Sequence, residues 1–232
     1  MDSWERLNGE IVSCARCPRL RAHCKEIARV KRRAYRDQAY WGRPVPGFGD
    51  TRARVLLCGL APAAHGANRT GRMFTGDDSG HWLYAALHRA GFANQATANG
   101  VGDGLMLQDA FITASARCAP PDNKPTPAEL AACAPFLDRE LALLERLRVV
   151  VALGQIAWAT MLGRARSLDP ASVPSPRPTF GHGVETHVRI RTGAPAVTLL
   201  GCYHPSRQNT NTGRLTRPML DAVLRRAMEL TE

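Results

Sequence analysis

The stretch RVLLCGLAPAAHGANRTGRMFTGDDSG, residues 54–80, decides how this chain is built. It opens with a short apolar run, Arg54 to Leu60, that stops at a Gly- and Pro-rich turn, the pattern of a buried strand feeding a loop. Three more such runs follow: DAFITAS (109–115), RVVVAL (148–153) and AVTLLGC (196–202). Helical signals lie between them. One helical stretch begins near Ser79. Thr126-Pro127-Ala128-Glu129 then offers an N-cap, a proline at the first helical position and an acid in the first turn. After it Leu130, Ala134, Leu137, Leu141, Leu144 and Leu147 recur at helical spacing. The tail from Thr216 has the same design, with Met219, Leu220, Val223, Leu224 and Ala227 on one side. Alternating strands and helices predict an α/β fold with a largely parallel sheet covered on both faces, where ligands bind at the carboxyl ends of the strands. Arg164 to Gly183, rich in Pro, Ser and Arg, is expected to be a surface loop.

At 232 residues the chain suits one domain, 1–232, with residues 1–50 as a basic N-terminal segment read as a helix followed by a long loop. A hydrophobic share of 44% and a charged share of 22% are those of a globular chain with a real core, which excludes disorder as the main state. No apolar run reaches the ~18 residues of a membrane span, and MDSWERLNGE is charged where a secretory signal would be apolar. A cytoplasmic monomer without membrane partners is expected. The net charge is +11. Arg16 to Arg36 holds nine basic residues against the single acid Glu26, so this segment supplies most of the excess. Such a field points to a polyanionic partner, nucleic acid first.

Seven cysteines in a reducing compartment are better read for metal or cluster ligation than for disulfides. Cys14 and Cys17 form C-x2-C on a turn bounded by Pro18. Cys118 and Cys133 are joined by a stiff Pro-rich loop and the first helical turns. Four thiolates from two remote pieces of chain suit zinc or an iron–sulfur cluster, and spacing alone does not separate them. Cys24 is a substitute ligand, whereas Cys58 and Cys202 sit within strand runs as small core residues.

The loop after the first strand carries glycines, an amide, arginines and hydroxyls suited to wrapping backbone N–H groups around a ligand. It matches neither the P-loop spacing nor the dinucleotide fingerprint. The last strand run ends in CYHPSRQNTNTGR, which places His204 at a strand's carboxyl end before a polar, mobile loop. Two rival classes share these features. One is a non-catalytic nucleic-acid-binding protein with a structural four-cysteine metal site, the other a hydrolase of small phosphorylated substrates.

GLAPA at 59–63, the GRMFTG after it, the cysteines flanking CAPPDNKP and HPS at 204–206 together resemble the family 5 (type B) uracil-DNA glycosylases, in the right order from about Tyr40 to Arg217. The resemblance implies the three-layer α/β/α uracil-DNA glycosylase fold with a short, mainly parallel central sheet. It implies base-excision repair: uracil, and other deaminated bases such as hypoxanthine, is flipped out of DNA and its N-glycosidic bond hydrolysed to leave an abasic site. It also resolves the metal question towards a structural [4Fe–4S] cluster on Cys14, Cys17, Cys118 and Cys133.

By the same resemblance Phe74 stacks on the extruded pyrimidine, and His204 donates to the departing base with help from the backbone of Gly59, Leu60 and Ala61. GLAPA lacks the acidic residue that orients water in other families, so Asn68 is expected to take that role, with Asp77 as second choice. Ala114 stands where other families read uracil's edge with Asn, and Asn123 is expected to supply pocket polarity instead. Arg207 or Gln208 fills the gap the base leaves, with Arg214 and Arg217 on nearby phosphates.

Overall fold

The computed structural model describes residues 2–232. Helices α1 (Trp4–Ser13) and α2 (Pro18–Val30) precede strand β1 (Phe48–Gly49). Then come β2 (Val55–Gly59), α3 (Ala67–Thr70), α4 (Asp78–Arg89), β3 (Ala110–Ala114), α5 (Pro127–Leu143), β4 (Val149–Leu153) and α6 (Gln155–Leu168). The chain ends with β5 (Glu185–Val188), β6 (Val197–Cys202), α7 (Arg207–Asn211) and α8 (Arg217–Glu229). Sheet order is β1-β3-β2-β4-β6-β5. The four inner strands run parallel, with Val55 opposite both Ala110 and Val149, and Val149 opposite Thr198. The edge strands β1 and β5 are antiparallel.

Every residue of the four inner strands is buried, which is why each reads as a continuous apolar run. Alternate side chains serve opposite faces. Val55, Leu57, Ile112 and Val151 meet Leu83 and Leu87 of α4 and Leu220 and Leu224 of α8. Leu56, Cys58, Val150 and Leu199 meet Leu137 and Leu141 of α5 and Trp158 and Met161 of α6. These are the three layers expected. Among the described residues no helix is long and apolar enough to cross a membrane.

Three details differ from the sequence reading. Residues 1–50 hold two helices, not one, and C-x2-C is the turn between them: Cys14 caps the end of α1, and Cys17 caps α2 with Pro18 in its first turn. Helix α6 continues into the expected surface loop as far as Leu168 because Ala157, Met161, Leu162 and Ala165 keep one side buried. The loop after His204 is ordered at its start, where Ser206 Oγ caps α7 and accepts the Asn209 N–H.

Helix α5 begins as read, with Thr126 and Glu129 in a reciprocal capping box. Glu129 has a second use. Its carboxylate takes the fork of Arg19 from α2 at 2.8 and 2.7 Å, while Arg19 Nη2 also donates to the carbonyl of Lys124. The basic segment is thereby tied to the loop that carries Asn123.

Candidate active site at the strand ends

A cavity of 640 Å³ opens at the carboxyl ends of β2 and β6. The two strands flank β4 in the sheet, so their terminal loops face each other across its end, where an open parallel sheet binds ligands. Leu60 and Ala61 after β2, Phe74 and Asp77 from the following loop, and His204 after β6 all line it. Asn123, Arg207 and Gln208 line it too. Gly59, Asn68, Arg214 and Arg217 do not.

Gly59 serves the cavity from behind. A Cβ there would come within 2.9 Å of the Phe74 ring, so the missing side chain lets the phenyl lie against the end of β2. Phe74 adopts φ +52, an unusual conformation for an aromatic residue, and its carbonyl sits where a Cβ on Gly80 would fall, 1.8 Å away. Two glycines thus hold one phenyl ring in place.

His204 packs beside that ring. Burial drives its pKa down from 6.5 to about 4, so the imidazole is neutral at physiological pH. A neutral imidazole keeps one ring N–H with which it can donate. The backbone of His204 is fixed by Asn209 Nδ2 and the Ser206 N–H, both donating to the His204 carbonyl at 2.8 Å. Gly154, just after β4, has φ +101, and a Cβ there would stand 3.5 Å from the His204 Cβ, an ordinary contact, so it is the backbone angle that calls for glycine.

Asp77 caps α4, Oδ1 accepting the Gly80 N–H at 2.9 Å. Its other oxygen lies over Gly66, where a Cβ would meet it at 1.9 Å. Burial raises the Asp77 pKa above its ordinary 3.8, which makes the carboxylate a better proton acceptor. Asn68, the first-named candidate for orienting water, is fully buried in α3. Its Nδ2 points at the carbonyls of Cys24 and Ala64, 3.3 and 3.4 Å away. Its Oδ1 is buried without a partner among the described residues, and the residue does not line the cavity.

Asn123 is exposed on a turn where it and Asp122 both take positive φ, a conformation asparagine tolerates. Ala114 is buried at the end of β3. Arg207 pairs with Asp78, so part of its charge is already answered. The guanidinium of Arg214 lies 4.8 Å above the Tyr203 ring, and that of Arg217 lies 5.7 Å from Trp82.

The four cysteines named above come from three elements into one neighbourhood. Desolvation pushes the Cys17 thiol up to about 11, and the negative charge of Cys133, Cys118 and Cys14 adds to that rise. Cys118 and Cys133 are buried. Among the described residues no three His, Cys, Asp or Glu are arranged to hold a single metal ion. Cys24 lies against Cys118 in the same apolar cluster.

Among the wall residues that the sequence reading did not name are Arg32, Tyr35 and His65. The first two sit in the basic run that was read only as charge, and His65 sits inside the quoted glycine-rich loop.

The sequence model of the Uracil DNA glycosylase superfamily matches residues 46–227. The chain belongs to that superfamily. Within it the chain is similar to type-5 uracil-DNA glycosylases. It is 55% identical to that of Mycobacterium bovis over 97% of this chain and 80% of the relative. It is 49% identical to that of Thermus thermophilus over 95% and 94% of the two chains. The type-5 enzyme of Pyrobaculum aerophilum is 44% identical over 94% and 88%. In this uracil-DNA glycosylase superfamily member the matched domain begins after the C-x2-C pair and the basic run, yet the type-5 relatives align over nearly the whole chain. Residues 1–45 therefore belong with the type-5 pattern.

Proposed function

We infer that this chain is a uracil-DNA glycosylase, hydrolysing the N-glycosidic bond of uracil in DNA to leave an abasic site for repair. The observation that carries the mechanism is the neutral, half-buried imidazole of His204 set beside Phe74 in the cavity between the ends of β2 and β6. Extruding a nucleotide costs a few kcal/mol of unstacking, which the pocket and the phosphate contacts must offset. Phe74 offers a face for the base. Bond breaking leaves negative charge on the uracil ring, and a neutral donor strengthens its hydrogen bond as that charge grows. His204 supplies one donor. The N–H of Ala61, which has no protein acceptor among the described residues, supports a second.

No covalent step to the protein is needed. Water adds to the oxocarbenium-like sugar and gives up a proton. Asp77 suits that task because it lines the cavity, Gly80 holds its Oδ1, and burial raises its pKa. The DNA phosphates add their charge to the stabilisation of the cationic sugar. Ala114 stands where other families carry a base-reading amide, so the base is held by the His204 and Ala61 donors alone, which supports tolerance for hypoxanthine.

Cys14, Cys17, Cys118 and Cys133 would hold a [4Fe–4S] cluster: thiolates are the ligands it requires, and these gather in one neighbourhood. When bound, such a cluster supplies a cross-link and no step of hydrolysis. It would fix α2, with its arginines and lysine, beside the cavity.

The test is direct. Purified protein, checked for a broad visible absorption, is incubated with a uracil-containing duplex and then treated with alkali. Strand cleavage at uracil is expected, with cleavage at hypoxanthine as well. An intact strand would overturn the assignment, and uracil-only cleavage would remove the wider base range.

A further inference from the structure

One histidine of the cavity wall has no part in the reaction above. His65 lies in the loop between β2 and α3 and lines the cavity. Its Nδ1 is 3.0 Å from Tyr40 Oη, with the two rings edge to face at 6.1 Å. The same phenol oxygen accepts the backbone N–H of Arg32 at 3.4 Å. A phenol has a single proton to donate, and here Nδ1 is the acceptor within reach. The neutral imidazole then carries its own hydrogen on Nε2, which no protein acceptor takes among the described residues.

We propose that His65, oriented by Tyr40, donates its Nε2–H to a phosphate of the nucleotide drawn into the cavity, with Arg32 beside it. The proposal rests on the glycosylase reading, in which Phe74 takes the base face and His204 a base carbonyl. What remains of an extruded nucleotide is the sugar and its anionic phosphodiesters. The wall around His65 is built for an anion. Arg32 and Tyr35 come from the basic segment, and the Arg69 guanidinium lies 4.0 Å over the Tyr35 ring. Arg69 Nε also donates to the His65 carbonyl at 2.8 Å, so the loop is fixed from below. Burial first, and then the charges of Arg32, Arg69 and His23, hold the His65 pKa below 6.5, so the ring is the neutral donor that the proposal needs.

The experiment is a cycle between side chain and phosphate. Wild type and the His65→Ala variant bind uracil duplexes carrying either native linkages or a neutral methylphosphonate placed 5′ or 3′ to the uracil. On native DNA the substitution is expected to weaken binding about tenfold, the worth of one hydrogen bond to a charged group. On one of the two methylphosphonates the variant and wild type should bind alike. Tyr40→Phe should show the same coupling at part of the size. A defect of equal size on all three substrates means His65 only supports the fold and overturns the proposal, as does no defect at all. Wild-type cleavage of the native duplex is scored alongside, so failure of the glycosylase reading is seen separately.

Discussion

The rings of Phe74 and His204 stand with centroids 5.8 Å apart and planes tilted by 33°. A flat base slotted between two rings needs about 7 Å, twice a van der Waals contact. The two side chains are therefore adjoining walls, and the base meets one on its face and the other through a hydrogen bond. Replacing Phe74 by Ala should then act on binding, raising KM about tenfold or more, since stacking is worth ~1–3 kcal/mol per base. Steady-state kinetics on the uracil duplex check this; a fall in kcat with KM unchanged would contradict it.

His204 makes a different prediction. His204→Ala should lower kcat about 100- to 1000-fold, the usual cost of losing a donor to a developing anion. Because its folded pKa is lowered from 6.5 to about 4, the donor stays neutral above that range. No loss of kcat should accompany a rise of pH through 6.5. For stability the sign is opposite to that of a charged histidine: between 6.5 and 4 the unfolded chain binds the proton and the folded chain does not. Urea midpoints should fall as pH drops through that window, and less so in His204→Gln.

Asp77 and Asn68 separate cleanly. Asp77→Asn should cost kcat about 10²–10⁴-fold and abolish the acid limb of the rate profile. In wild type that limb should lie above the ordinary carboxylate value of 3.8, because burial raises the Asp77 pKa. Asn68→Ala should leave kcat near wild type and lower the melting temperature instead.

Under β3 lies a buried ion pair. Arg117 Nη2 meets Glu140 Oε2 at 2.6 Å, and the Thr113 hydroxyl joins both. Glu140→Ala would strand a buried guanidinium, at a cost of about 3–5 kcal/mol. Chemical denaturation measures it, and a loss below about 1 kcal/mol would show that the arginine finds another partner.

Arg214, with no carboxylate partner among the described residues and held over Tyr203, is expected on a DNA phosphate. Arg214→Ala should weaken binding to all sequences alike and reduce the salt slope by about one.

The four inner strands were legible because both faces of each are covered, which writes an unbroken apolar run. Glu185–Val188 was not, for a matching reason: as an edge strand it alternates exposed and buried residues over only four positions. The cavity at the strand ends showed through the motifs around Gly59, Phe74 and His204, which carry the family resemblance. Which of Asn68 and Asp77 lines the cavity was hidden, because it depends on which way α3 and the cap of α4 turn. Arg32 and His65 were hidden likewise: a charge run and a lone imidazole reveal nothing until folding sets them on one wall.

Gly154 ends the middle strand without a side chain, and its backbone angle would strain any other residue. The turn by which the chain leaves β4, between the two strand ends that share the cavity, is therefore set by the backbone at this glycine. That geometry belongs to the scaffold. Altered base preference must then be sought in the movable rims, and a library that randomises position 154 should yield collapsed clefts before it yields new specificities.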